Sequence, residues 1–237
     1  MLFVFKKKKV FIIAAIVILA VFALGVAKEK TFLTKETFLP TEGKTIIIDA
    51  GHGSPDGGAV GNTGVLEKDL NLSVAMALQK FFESNGTQVL LTRSDDNGIY
   101  DVSGSIKNKK VSDIKNREEF IKSSDAEAFI SIHMNKFSDA KYSGPQVFYS
   151  GNNENSEFLA KCIQESMIAA LNPENKREIK KADSSIYLLK KAQIPAVLVE
   201  CGFLSNKEEE QRLKDEKYQR QLAWSVYCGI IEYFNEK

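Results

Sequence analysis

The chain holds only two histidines, and each follows directly on a run that reads as a β-strand: His52 in Asp49-Ala-Gly-His-Gly53 and His133 in Ile130-Ser-Ile-His-Met134. Parallel strands bring their carboxyl ends to one edge of a sheet, where open α/β folds bind ligands, so imidazoles far apart in sequence can meet there. Neutral imidazole is the commonest zinc ligand, and a catalytic zinc site needs three protein ligands and an open position for water. Glu67 offers the third. It stands at the end of a glycine-rich loop, just before a helical pattern that begins at Asp69, and Gly53, Gly57, Gly58, Gly61 and Gly64 let that loop fold back far enough to aim its carboxylate at the same point. Two His and one Glu form a donor set used for zinc hydrolysis. Each residue also has a plainer reading. A lone histidine is usually structural, Glu67 suits the first turn of a helix, and a glycine-rich loop can cradle phosphate. The loop lacks the Lys-Ser/Thr of a phosphate loop and the spacing of a dinucleotide fingerprint, which disfavours the last of these.

Glu200 ends the most apolar strand of the chain, Pro195-Ala-Val-Leu-Val-Glu-Cys-Gly202. A carboxylate is costly to bury there without a task. Zinc brings the pKa of its bound water down towards about 7, and a nearby carboxylate can accept that proton and pass it to a leaving amine. Glu200 is assigned this role, with a structural ion pair as the alternative. Asp49 could orient a metal-bound imidazole or only cap a turn.

These residues need a scaffold that gathers strand ends. Thr45–Asp49, Thr87–Thr92, Ala128–His133, Gln146–Tyr149 and Ala196–Glu200 read as strands, mostly continuous apolar runs covered on both faces. Asp69–Ser84, Ser156–Leu171 and Asp215–Phe234 carry helical stripes, and Gly86 sits where the first helix would end. Alternating elements predict a single α/β domain with a mostly parallel twisted sheet and helices on both faces. That domain is expected over 44–237, after a polar tether over 28–43 broken by Pro40 and Gly43.

Ahead of the tether, Lys6 to Lys9 precede an uncharged apolar run from Val10 to Ala27. Basic residues followed by such a run direct export. At about 1.5 Å per residue the run spans roughly 27 Å, close to a bilayer's hydrocarbon thickness. Gly25-Val26-Ala27 also offers small residues for signal cleavage, so residues 1–27 read either as a signal peptide or as a retained membrane anchor. With 32 basic and 31 acidic residues the chain is nearly neutral, and nothing in it points to nucleic acid. Cys162, Cys201 and Cys228 show no C-x-x-C spacing and read as buried thiols, with a Cys162–Cys228 disulfide as the minority reading.

From Lys44 to Phe234 the chain resembles the zinc-dependent N-acetylmuramoyl-L-alanine amidases of bacterial cell walls. The resemblance lies in Ile47-Ile-Asp-Ala-Gly-His-Gly53, Glu67, Phe129-Ile-Ser-Ile-His-Met-Asn135 and Pro195-Ala-Val-Leu-Val-Glu-Cys-Gly-Phe-Leu-Ser-Asn206. It implies Zn2+ on His52, Glu67 and His133, catalysis by Glu200, and cleavage of the amide joining N-acetylmuramic acid to L-alanine in peptidoglycan. Arg93 and Arg117 also look like family positions. Arg93 and Asn135 are candidate substrate contacts, although a buried ion pair suits Arg93 better. Asn97–Val111 looks like an insertion. A small exported member without wall-binding repeats resembles the germination-specific spore-cortex amidases, which implies coupling to a muramic acid deacetylase in muramic-δ-lactam formation. It also implies action outside the cytoplasmic membrane, in the spore intermembrane space. An exported activator protein is a further expected partner, with Asn97–Val111 and the charged stretch Lys207–Arg220 as candidate contacts. The competing readings are another zinc amidohydrolase, such as a peptidoglycan carboxypeptidase, and a non-catalytic peptidoglycan-binding protein.

Overall fold

The computed structural model describes residues 39–237. The segment read as a signal or anchor, and the tether up to residue 38, lie outside the described residues. The sheet is built from β1 (Thr45–Ala50), β2 (Gln88–Leu91), β3 (Ala128–Asn135), β4 (Gln146–Tyr149), β5 (Lys180–Lys181) and β6 (Ala196–Phe203). The helices are α1 (Glu67–Glu83), α2 (Ile106–Ser123), α3 (Asn155–Leu171), α4 (Tyr187–Lys191), α5 (Lys207–Lys214) and α6 (Glu216–Glu236).

The strand order is β2-β1-β3-β6-β4-β5. β2, β1, β3 and β6 run parallel to one another, β4 pairs antiparallel with β6, and β5 pairs parallel with β4. Ile46, Ile47 and Ile48 of β1 are all fully buried, because successive side chains point to opposite faces and both faces are covered. Ile46 and Ile48 join the core made with α1, α3 and α6, through Leu78, Phe82, Leu159, Ile163, Leu222 and Ile230. Ile47 joins a smaller core on the other face with Ile121 of α2 and Leu188 and Leu189 of α4. The expected α/β sheet with helices on both faces is thus the observed fold.

Leu39–Gly43, read as the end of the tether, packs against the domain: Thr41 is fully buried, accepts from Thr87 Oγ1 at 2.8 Å, and Gly43 N donates to Gly86 O at 3.2 Å. The stretch Asn97–Val111, read as an insertion, forms a loop that runs into α2, whose start is capped by Ser105 Oγ accepting from Asn108 N. The charged stretch Lys207–Arg220 spans α5 and the start of α6, with Asp215 between them capping α6, its side chain accepting from Lys217 N and Tyr218 N. The cysteines are free thiols; Cys162 and Cys201 are buried and Cys228 is half-buried.

Candidate active site

The parallel register sets the site. Ile132 pairs with Ala50 and His133 with Glu200, so the ends of β1, β3 and β6 lie side by side. Gly51 follows β1, and a Cβ there would lie 2.3 Å from the His133 ring. Only a residue without a side chain lets that imidazole lie across the β1 end. The chain then turns sharply: His52 has φ +62 and is the one non-glycine among the described residues with positive φ, a conformation that costs energy and persists where surrounding contacts impose it. The loop returns through Gly58 (φ +67), where a Cβ would meet Glu67 Oε2 at 2.6 Å and His52 Cδ2 at 2.7 Å.

His52, Glu67 and His133 converge as the sequence suggested. His52 Nε2 is 3.2 Å from Glu67 Oε2 and His133 Nδ1 is 2.9 Å from Glu67 Oε1. One potential ligand atom from each residue lies within 4.8 Å of the others, and the two rings stand edge to face at 5.1 Å between centroids. Glu67, the first residue of α1, is held by Ala59 N at 2.8 Å and Met134 N at 3.2 Å. Asn71, one helical turn on, donates to Gly51 O at 3.1 Å and to Glu67 Oε1 at 3.4 Å.

These contacts set the charge states. Burial works against a charged His52, but hydrogen bonds to Asp56 and Glu67 outweigh it and hold its pKa up at about 9. Burial likewise opposes ionisation of Glu67, yet the two imidazoles keep its carboxyl well below the usual range. Glu200 behaves oppositely. Burial, with the Glu67 charge adding to it, pushes the Glu200 carboxyl up to about 7 despite the nearby His133, His52 and Arg177. Its Oε2 is buried without a hydrogen-bond partner, a costly condition that sites of function tolerate. The structural ion pair considered for Glu200 is therefore not what occupies this oxygen.

Two assigned roles change. Asp49 does not reach an imidazole; its oxygens accept from Thr92 Oγ1 at 2.8 Å and Ser131 Oγ at 2.5 Å and pair with Arg117. Burial alone would raise its pKa, but Arg117, Ser131, His133 and Thr92 together lower it. Arg117 also donates to His52 O at 2.5 Å and Ala50 O at 3.0 Å, so this buried pair fixes the β1 end and the His52 turn. The imidazole partner is Asp56, with Oδ2 2.8 Å from His52 Nδ1, itself paired with Lys110 at 3.0 Å. Arg93 is buried, and its guanidinium is taken up by main-chain carbonyls rather than by an ion pair: it donates to those of Ala50 (2.9 Å), Gly51 (3.1 Å), Lys68 (2.7 Å) and Asp95 (2.8 Å). Asn135 sits half-buried at the end of β3, where its carbonyl accepts from Leu204 N at 2.8 Å.

Sequence reasoning missed Asp56, Asn71 and Gln146. Asp56 and Asn71 each stand four residues after a candidate ligand. That spacing is a usable signal for Asn71, because α1 brings residues i and i+4 together. Gln146 is the cross-strand neighbour of Glu200, buried, with Oε1 accepting from Arg177 Nη2 at 2.5 Å and Nε2 donating to Glu178 O at 2.6 Å. A cavity of about 370 Å³ adjoins the two histidines, lined among others by Arg117, Phe129, Tyr187 and Leu198.

The donor set fits a divalent metal. Two imidazoles and an ionised carboxylate converge, the bare Gly51 and Gly58 leave room for them, and Glu200, with its unpartnered Oε2, stands on the neighbouring strand.

Comparison with known proteins identifies the family. Residues 46–232 match the family described as N-acetylmuramoyl-L-alanine amidase. The chain is 38% identical over 228 residues to a germination-specific N-acetylmuramoyl-L-alanine amidase of Bacillus subtilis, covering 96% of this chain and 94% of the relative. Its structure resembles that of the CwlD amidase from Clostridioides difficile, solved in complex with the GerS lipoprotein, with a TM-score of 0.80 and 45% identity over 82% of this chain and 100% of that one. It also resembles an N-acetylmuramoyl-L-alanine amidase from Clostridium difficile 630, with a TM-score of 0.71 and 30% identity over 82% of this chain and 98% of that one. The chain belongs to the N-acetylmuramoyl-L-alanine amidase family.

Proposed function

We propose that this amidase is zinc-dependent and cleaves the bond between N-acetylmuramic acid and L-alanine during spore-cortex maturation, where a muramic acid deacetylase then acts on the peptide-free sugar to give muramic-δ-lactam. The observation that carries the reading is the convergence of His52, Glu67 and His133 beside a buried carboxyl with an unpartnered oxygen. His52, Glu67 and His133 would hold the zinc ion, which would supply Lewis acidity at the scissile amide. Glu200 takes one proton from water and delivers it to the departing L-alanine nitrogen, while the hydroxyl goes to the lactyl carbonyl carbon. Burial raises the Glu200 carboxyl above the ordinary carboxylate range, which favours a group that both takes up and gives back a proton. Asp56 orients the His52 ring, and the Arg117–Asp49 pair holds the strand end from which His52 turns.

The cortex role rests on the germination-specific relative of Bacillus subtilis. Peptidoglycan lies outside the cytoplasmic membrane, so the basic and apolar N-terminus is assigned to export, and the spore intermembrane space is the site of action. The Clostridioides difficile relative is bound to a lipoprotein, which supports an exported partner protein for this chain.

His52→Ala and His133→Ala test the reading. Both variants are expected to lose bound zinc and activity together, measured by elemental analysis and by release of peptide from purified peptidoglycan. Full zinc occupancy in both variants contradicts the assignment.

A further inference from the structure

Beyond Glu200 the edge of the sheet carries an aromatic ladder that the cleavage chemistry does not use. Phe203, three residues on in β6, is buried. The Arg177 guanidinium lies over one side of its ring at 4.8 Å, and Tyr142 stacks beside it at 6.2 Å with 28° between planes. Phe137 then meets Tyr142 edge to face at 5.0 Å. The ladder climbs from core to surface: Tyr142 is 38% exposed and Phe137 53%. Two adjoining aromatics left partly in water at this edge present ring surface that a ligand can cover.

The loop that carries the pair is fixed in place. Phe137 N donates to Ser205 Oγ at 3.2 Å. Asn206 Nδ2 donates to Ala140 O at 3.1 Å, while its Oδ1 caps α5 by accepting from Glu208 N at 3.0 Å. A platform tied at both ends loses little freedom when a ligand settles on it.

The ladder is continuous with the reaction site. Arg177 donates to Gln146, and Gln146 is in register with Glu200, which is in register with His133. Arg177 Nε is buried without a hydrogen-bond partner. The row His133, Glu200, Gln146, Arg177 therefore leads from the reacting bond to the aromatic platform. A substrate that extends along this row must offer an apolar face to the rings and oxygen acceptors to the guanidinium. A pyranose does both, since its axial C–H groups form a flat apolar face and its acetamido and hydroxyl oxygens surround it.

We propose that Phe137 and Tyr142, based on Phe203 and Arg177, form a saccharide-stacking subsite that holds the glycan strand beside the scissile amide. This deepens the peptidoglycan amidase reading and rests on it for the identity of the polymer. The enzyme then prefers strands to isolated peptide-bearing units, because the platform grips sugar beyond the unit being cleaved.

The test uses glycan strands stripped of their peptides, so that binding is read without cleavage. The full chain carrying Glu200→Gln is sedimented with insoluble peptide-free glycan, alone and combined with Phe137→Ala or Tyr142→Ala. Each aromatic replacement is expected to weaken binding roughly five- to tenfold, as loss of one stacking partner does. Trp224→Ala, an equally exposed aromatic on α6, serves as the control and leaves binding unchanged. Thermal melting of each variant confirms that it is folded. Binding undiminished by either replacement overturns the subsite and leaves the platform as a surface for a protein partner, as does an equal loss in Trp224→Ala. Release of peptide from intact peptidoglycan by the wild-type chain reports separately on the amidase reading.

Discussion

Replacing Asp56 by alanine sets two opposing contributions to metal binding against each other. Asp56 holds His52 Nδ1 at 2.8 Å, which leaves Nε2 to face Glu67. A carboxylate on the far nitrogen fixes the tautomer and the ring orientation, and losing it costs roughly 10- to 100-fold in metal affinity, about 1.4–2.7 kcal/mol. Asp56 also favours the protonated ring, which competes with metal. With the His52 pKa up at about 9, zinc binding at pH 7 must displace a proton at a cost on the order of 3 kcal/mol. Without Asp56 that proton leaves more easily. The affinity lost in Asp56→Ala is therefore partly masked at pH 7 and approaches its full size near pH 9, where the proton competes only weakly. Competition against a chromophoric zinc chelator at both pH values measures it, and Asp56→Asn, which keeps an acceptor oxygen without the charge, is expected to fall between. Wild-type affinity in Asp56→Ala at pH 9 would refute the orienting role. A loss that shrinks as pH rises would refute the raised pKa.

Other expectations follow from the same geometry. Glu200→Gln keeps zinc near stoichiometric while turnover falls by roughly 100-fold or more, and normal turnover would require another base. Gly58→Ala forces a Cβ to 2.6 Å from Glu67 Oε2 at a φ of +67, so the metal-free domain should lose about 1–3 kcal/mol in urea unfolding and bind zinc more weakly. The raised His52 pKa stabilises the metal-free fold fully below its unfolded pKa of about 6.5 and less as pH rises through about 9. The urea midpoint of the metal-free domain is accordingly expected to fall between those values, and the zinc-loaded domain should not show that drop.

How far the sequence could be read depended on whether burial left a pattern. β1, β3 and β6 announced themselves because both faces are covered, giving unbroken runs such as Ile46–Ile48 and Ala196–Val199. α2 left no such trace: among its residues only Ser112, Arg117 and Ile121 are buried, so its inner face reads as polar, and Arg117 is spent on Asp49. The antiparallel course of β4 was likewise hidden, since strand periodicity carries no direction. At the site, residue type and placement sufficed for His52, Glu67, His133 and Glu200 to be proposed together, and the structure brings them together. Asp49 was offered for the orienting role that Asp56 fills, since both lie within four residues of His52. Only the φ +62 turn at His52 decides which carboxylate its ring meets. Arg93 was misread because long-range main-chain carbonyls, its actual partners, have no sequence signature.

The central claim is tested most directly by the products of digestion. Purified peptidoglycan treated with the zinc-loaded chain and analysed by mass spectrometry should yield stem peptides that begin with free L-alanine and glycan whose muramic acid carries a free lactyl carboxyl. Peptides shortened from their carboxyl end while still attached to sugar, as a carboxypeptidase would leave them, would contradict the account.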